Sequence, residues 1–281
     1  MEGAVYAIDE TRVAKRWFTG NVPGLRRIAA FYDALSGLGL SFAVPRIESI
    51  DVVDGQVVTV ERRFPGQPLR PGAGRLGDEA QDREVQDQEA QDLIVALVAE
   101  LAGLGPLPEA RVLPVLGGDE PLARGGDFPQ ALARLAARRV TPVLGAAVGR
   151  LDALMAALPA RLREVDTGVR SVIHGDLIPG NVLAGESGIA VLDWGFLTAE
   201  GDPAFDAAVT AAIFDMYGPR ARATEEALLD RMPYDRTTLL VYRAAYSLIT
   251  ATAYDPRGRD GHFAWCAEAL NRPEIVRAVL G

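Results

Sequence analysis

The chain of 281 residues is poor in the residue types that staple or metallate small folds. It has one cysteine, Cys266, so no intrachain disulfide can form and the fold must rest on a packed core. Two histidines, His174 and His262, are too few to support a zinc site of the Cys/His kind. A Cys266/His262 nucleophilic pair is disfavoured, because Cys266 lies inside an apolar helical pattern. The longest apolar run, residues 93–105, is interrupted by Glu100 and is too short to span a bilayer. The N-terminal residues lack a charged segment leading into an apolar core, so no leader is expected and a reducing, cytoplasmic setting is. Basic residues number 29 against 38 acids, a formal charge of −9, which disfavours a general nucleic-acid binder. What remains is an ordinary soluble composition, 49% apolar and 24% charged, long enough for one large domain or two lobes around a cleft.

Lysine is the sharpest scarcity. Of the 29 basic residues 28 are arginine, and the one lysine is Lys15. A drift toward arginine would explain the ratio. A position that demands an ammonium would explain the exception, because the two cations differ in hydration and donor geometry. Lys15 lies in a strand-like stretch, residues 12–18. Acidic charge is concentrated instead: residues 78–92 hold seven acids and one arginine, a net of −6. That run leads into an apolar segment and reads as a helix with a solvated start, favoured by the helix dipole, rather than as a cation-binding strip.

Residues 4–64 read as β-rich with one helix. Short strands are expected at 4–8 and 12–18, a helix at 25–38, and strands at 44–50 and 56–62 around an Asp54-Gly55 turn. A Pro/Gly-rich stretch at 64–74 is the best boundary, giving a small lobe of residues 1–66 and a larger one of residues 67–281. Beyond it the pattern is mostly helical, at about 78–104, 127–139, 142–163, 203–217, 235–252 and 260–280, with a β-rich island at 169–193. The expected class is α+β, a small β-rich lobe and a larger helical lobe with a cleft between them.

The island carries the chemistry. Its polar residues stand where apolar strands end: His174-Gly175-Asp176, then Asn181, then Asp193-Trp194-Gly195. Asn181 and Asp193 can bring two oxygens onto one hard cation, and magnesium needs few protein ligands when phosphates and waters supply the rest. Asp176 is then left to face a substrate hydroxyl and accept its proton. Asp176 and Asp193 as a glycoside-hydrolysing pair would leave Asn181 and Lys15 unexplained.

These motifs resemble those of aminoglycoside phosphotransferase-like small-molecule kinases, the choline-kinase type included, over about residues 4–217. The match lies in His174-Gly175-Asp176 with Asn181, in Leu192-Asp193-Trp194-Gly195, in the segment 201–206, and in residues 44–47 and 60–66. The resemblance implies a two-lobed protein-kinase-like fold and magnesium-dependent transfer of the γ-phosphoryl of ATP or GTP to a small-molecule alcohol. It implies Asp176 as base, Asn181 and Asp193 as magnesium ligands, and Lys15 on the α- and β-phosphates. His174 and Asp206 would support the loop, and the backbone of Glu61, Arg62, Arg63 and Phe64 would face the adenine.

Three departures stand out. The family's first strand is missing or very short here; the helix at 25–38 has Arg26, Arg27 and Asp33 but no glutamate to pair with Lys15; and the segment from Asp193 to Pro203 is short, as suits a small-molecule acceptor. The first two motivate the alternative, a nucleotide-binding pseudokinase or regulatory protein without turnover. Residues 200–281 carry twelve acids and nine arginines, a weak acidic excess for a polycationic aminoglycoside, so a sugar, macrolide-like compound or amino alcohol is at least as well suited. Asp215, Tyr217, Tyr242, Tyr246 and Trp265 are the acceptor-pocket candidates.

Overall fold

The computed structural model describes residues 3–18, 20–69, 80–118, 120–122 and 127–281, with backbone alone for residues 80–86. The chain opens with β1 (Gly3–Ala7) and β2 (Arg12–Trp17), crosses α1 (Val22–Ser36), and returns through β3 (Ile47–Val53) and β4 (Gln56–Arg62). The four strands form one antiparallel sheet in the order β1-β2-β4-β3. The Asp9 carboxylate shapes the first turn, accepting the Thr11 and Arg12 amides at 2.9 Å. Asp54 and Gly55, both with positive φ, close the second hairpin. Register places Val5, Lys15 and Thr59 side by side across β1, β2 and β4. Their side chains therefore share a face.

Helix α1 starts earlier than the apolar spacing suggests. Asn21 caps it, accepting the Gly24 amide at 2.7 Å, and Pro23 fits its first turn. Its inner face buries Leu25, Phe31, Tyr32 and Leu35. The third strand also lies three residues later than expected: Pro45 has no amide for a ladder, and Arg46 meets β4 only through its carbonyl, which accepts from Arg62. The linker between α1 and β3 is tied to the larger lobe through Ala43, whose amide donates to Ile189 at 2.8 Å and whose carbonyl accepts from Val191 at 2.9 Å.

After β5 (Gln67–Pro68), residues 70–79, including the Pro/Gly stretch of 71–74, lie outside the described residues. The larger lobe then runs α2 (Ala80–Gly103), α3 (Phe128–Arg139), α4 (Pro142–Ala147) and α5 (Leu151–Val165). The island follows as β6 (Ser171–Ile173), β7 (Val182–Gly185), β8 (Gly188–Val191) and β9 (Ala199–Gly201). The chain ends in α6 (Pro203–Ile213), α7 (Ala221–Arg231), α8 (Arg236–Thr250), α9 (Gly261–Asn271) and α10 (Pro273–Leu280). The order is that of a two-lobed α+β protein.

Two expected helices are broken. The segment 142–163 divides at Val148-Gly149-Arg150, where Asn271 accepts the Gly149 amide at 3.1 Å. The segment 260–280 divides at Arg272, because Pro273 has no amide to continue α9 and opens α10 instead. The helix expected to reach 217 stops at Ile213, and α7 was not anticipated.

Helices α6 and α8 form the centre of the lobe, and every residue of α6 is buried. Small alanines let the two pack closely. Glu225 of α7 sits in this interior between Arg243 of α8, at 3.0 Å, and Arg272, at 2.8 Å. Burial pushes its carboxyl up, but the two guanidiniums outweigh that and hold it below its ordinary value. The acidic helix α2 is partly paired rather than wholly solvated. Asp87 meets Arg220 at 2.5 Å and Asp92 meets Arg231 at 2.6 Å, which docks α2 against α7 and the turn before it.

Candidate active site

The loop after β6 is built on buried backbone bonds. Asp206, in the first turn of α6, accepts the His174 amide at 3.0 Å and the Gly175 amide at 2.8 Å. Burial pushes its carboxyl up to about 6, against the opposing pull of those two bonds. The His174 ring is fully enclosed. Its Nε2 lies 2.9 Å from the Leu192 carbonyl and its Nδ1 accepts the Asp176 amide at 3.2 Å, which assigns the proton to Nε2. Burial lowers its pKa to about 4, so it is neutral near pH 7. Gly175 has φ +74°, and a Cβ there would meet the Leu197 Cβ at 2.5 Å. Thr198 completes the frame, its hydroxyl donating to the His174 carbonyl at 2.9 Å and accepting the Gly195 amide at 2.8 Å.

This frame sets Asp176 and Asp193 on one cavity, with Asn181 buried beside Asp176. Asn181 donates to the Asp176 carbonyl at 2.9 Å, and its Nδ2 lies 3.4 Å from Asp176 Oδ2. The Leu192 amide donates to the Asn181 carbonyl at 2.8 Å and ties the loop to the end of β8. There Asp193 takes a left-handed conformation, φ +55°, which turns the chain out of the strand. Lys15 comes from the sheet opposite and places Nζ 3.4 Å from Asp193 Oδ1. Lys15, Asp176 and Asp193 border one cavity with Gly3, Val5, Phe196 and Tyr254.

A second cavity, of about 240 Å³, adjoins it and shares Val5, Lys15 and Asp193. Its walls are apolar, with Val13, Tyr32, Pro45, Ile47, Leu183 and Leu192, and Glu61, Arg62, Arg63 and Phe64 edge it. The Arg62 amide donates to Arg46 at 3.0 Å and the Arg63 amide to Thr11 at 2.8 Å, so both are committed within the protein.

By donor type, Asn181 and Asp193 are oxygen ligands of the kind a hard divalent cation takes. Asn181 has its amide nitrogen turned to Asp176, which leaves the oxygen as the end with ligand chemistry, and Asp193 adds a carboxylate. Among the described residues no group of three His, Cys, Asp or Glu could hold a metal.

The chain matches the model of the phosphotransferase enzyme family over residues 2–239. The chain belongs to that family. As a phosphotransferase of this group it is an enzyme that phosphorylates hydroxyl groups of small molecules. Solved structures share the fold. An aminoglycoside phosphotransferase, APH(2")-IIia, in complex with GDP and kanamycin, is 18% identical with a TM-score of 0.61, covering 99% of this chain and 90% of that one. The choline kinase LicA from Streptococcus pneumoniae is 14% identical with a TM-score of 0.58, covering 99% and 89%. The macrolide 2'-phosphotransferase MphH from Brachybacterium faecium is 22% identical with a TM-score of 0.56, covering 97% and 90%. No curated protein matches the sequence. The protein-kinase-like, two-lobed architecture expected for the phosphotransferase family is the one observed.

The acceptor-pocket candidates separate. Tyr246 is buried close enough to Asp176 for the carboxylate to raise its phenol, although burial is the larger cause. Tyr242 faces away, donating to Asp202 at 2.8 Å against Phe128 and Phe205. The Trp265 face is covered by Arg243, 3.9 Å from the ring centroid. Tyr217 lies 3.3 Å from His262 Nδ1, and Asp215 lies toward Asp87 and Arg220. Cys266 does lie 3.5 Å from His262, but burial pushes the thiol up to about 11 and the imidazole down to about 4, the reverse of an activated pair. Sequence reasoning missed Phe196 and Tyr254, whose rings stack at 6.0 Å and 3° beside Asp176 in the cavity. It also missed Thr198.

Proposed function

We propose that the enzyme transfers the γ-phosphoryl group of ATP or GTP to a hydroxyl of a small-molecule alcohol in a cytoplasmic setting, with Asp176 as the base. The observation that carries this is the meeting of Lys15, Asp176 and Asp193 on one cavity, with an apolar base-sized cavity beside it. The purine would lie between Val13, Ile47, Leu183 and Leu192, and would meet the backbone around Phe64, since the Arg62 and Arg63 amides are committed elsewhere. Lys15 would hold the α- and β-phosphates. Asn181 and Asp193 would hold magnesium, which supplies charge neutralisation on the phosphates. Asp176 would orient the acceptor hydroxyl and take its proton as the phosphoryl group arrives. His174 and Asp206 act through the backbone, by fixing where Asp176 stands.

The weak net charge of residues 200–281 and the Phe196–Tyr254 pair favour an acceptor with an apolar face over a polycation. The test is a magnesium-dependent transfer screen over sugars, aminoglycosides, macrolides and amino alcohols, with Asp176→Asn as control. Transfer to at least one alcohol is expected, lost in Asp176→Asn while ADP still binds. Nucleotide binding with no transfer to any alcohol would overturn the proposal in favour of a nucleotide-binding regulator. An Asp176→Asn enzyme that turns over normally would remove the base.

A further inference from the structure

We propose that Trp17 is the positioning residue for the Lys15 ammonium, an inference that rests on the phosphate-binding reading of Lys15. Trp17 follows Lys15 by two residues on β2, so both side chains leave the same face of the sheet. Lys15 Nζ lies 4.0 Å from the centroid of the Trp17 ring. The ring itself is fixed. Its Nε1 donates to Thr59 Oγ1 at 3.0 Å, and the Thr59 hydroxyl, wholly buried, donates to Glu61 Oε1 at 2.5 Å. Thr59 stands opposite Lys15 in the β2–β4 register, so a chain of contacts runs from Glu61 through Thr59 and the indole to the ammonium.

Helix α1 offers no such support. Its charged residues are Arg26, Arg27 and Asp33, and Asp33 is exposed. The ion pair of Lys15 goes to Asp193, which faces the same cavity. An indole face differs from a carboxylate partner in one decisive way. It attracts a cation through its quadrupole and leaves the full positive charge in place, whereas a carboxylate cancels much of it. The indole therefore fixes the ammonium without adding to the partial neutralisation that Asp193 already imposes, and a polyphosphate in the cavity would meet the charge at a fixed point. The same geometry gives lysine a use that arginine lacks here. A compact ammonium over a ring keeps N–H donors pointing into the cleft, whereas a guanidinium stacks flat and turns its donors along the ring.

The experiment is a double-mutant cycle on ADP affinity, measured by calorimetry, with thermal unfolding as the check on folding. Lys15→Met weakens ADP binding. Trp17→Leu weakens it by roughly 3- to 30-fold, the reach of a partly desolvated cation–π contact. In the Lys15→Met background Trp17→Leu has no further effect, and Trp17→Phe, which keeps a ring face, recovers most of the loss. Thr59→Val leaves the indole in place but frees its edge, and gives a smaller loss that again requires Lys15; this variant carries the test if Trp17→Leu does not fold. Trp17 also lines the second cavity, so equal losses in both backgrounds would make it a wall of that cavity or packing of the sheet, acting without Lys15, and overturn the proposal, as would undiminished affinity in Trp17→Leu. Undiminished affinity in Lys15→Met would bring down the phosphate-binding reading first, and Trp17 with it.

Discussion

Removing the Asp206 carboxylate tests how the loop is held. In Asp206→Ala the His174 and Gly175 amides lose acceptors at 3.0 and 2.8 Å inside a site that is 2% exposed. Each buried N–H left without a partner costs about 1–3 kcal/mol, so a deficit of about 2–6 kcal/mol is expected near pH 5. The deficit depends on pH. Asp206 titrates at about 6 in the fold and near 3.8 when unfolded, so between those values the folded state binds more protons. The contribution of this group is thus fully present below pH 3.8 and declines as pH rises through 6, by about 3 kcal/mol over the window. Alanine does not titrate, so the gap between wild type and variant is widest near pH 4 and narrows toward pH 7. Urea unfolding at pH 4, 5.5 and 7 reads it. Turnover should fall at least about 100-fold, since a displacement of Asp176 near 1 Å suffices, while ADP affinity changes less. Wild-type stability and turnover in the variant would refute the bracing role, and a gap that widens from pH 4 to 7 would refute the raised carboxyl.

Two further outcomes follow from the same loop. Gly175→Ala should lower stability by about 2–4 kcal/mol and impair turnover, because φ +74° and a Cβ 2.5 Å from the Leu197 Cβ force the backbone to move; a thermal melt and a rate assay check both. His174 is held neutral with a pKa near 4, so its contribution to stability is complete above pH 6.5 and lost as pH falls toward 4. The stability advantage of wild type over His174→Gln should therefore shrink by up to about 3 kcal/mol across that range, and an advantage independent of pH would contradict the neutral imidazole.

Much of the site could be read from the residues because its parts are local. Asp176 and Asn181 share one loop, and Asp193 follows the second strand of the hairpin after it, so a short stretch of chain holds all three. The scarcity of lysine pointed across the cleft to Lys15. What sequence could not supply were contacts between distant segments. Trp17 reads as one more strand aromatic until Thr59, 42 positions away, is seen to fix its indole. Tyr254 reads as a loop residue until Phe196 stacks on it. Helix boundaries shifted where a single side chain or ring decided the matter: Asn21 as a cap, Pro273 as a restart, and Asn271 reaching back to Gly149. Tyr242 and Tyr246 illustrate the limit of helical spacing. Both are wholly interior on α8, yet one bonds Asp202 in the core and the other lies toward Asp176.

The near absence of lysine has a practical corollary. Apart from the terminal α-amine, the only primary amine in the sequence lines the cleft with 15% of its side chain accessible. An acylating or imine-forming reagent would therefore label one internal address. A dye or a mass tag attached there would report on occupancy of the cleft, with no background from the 28 arginines of the chain.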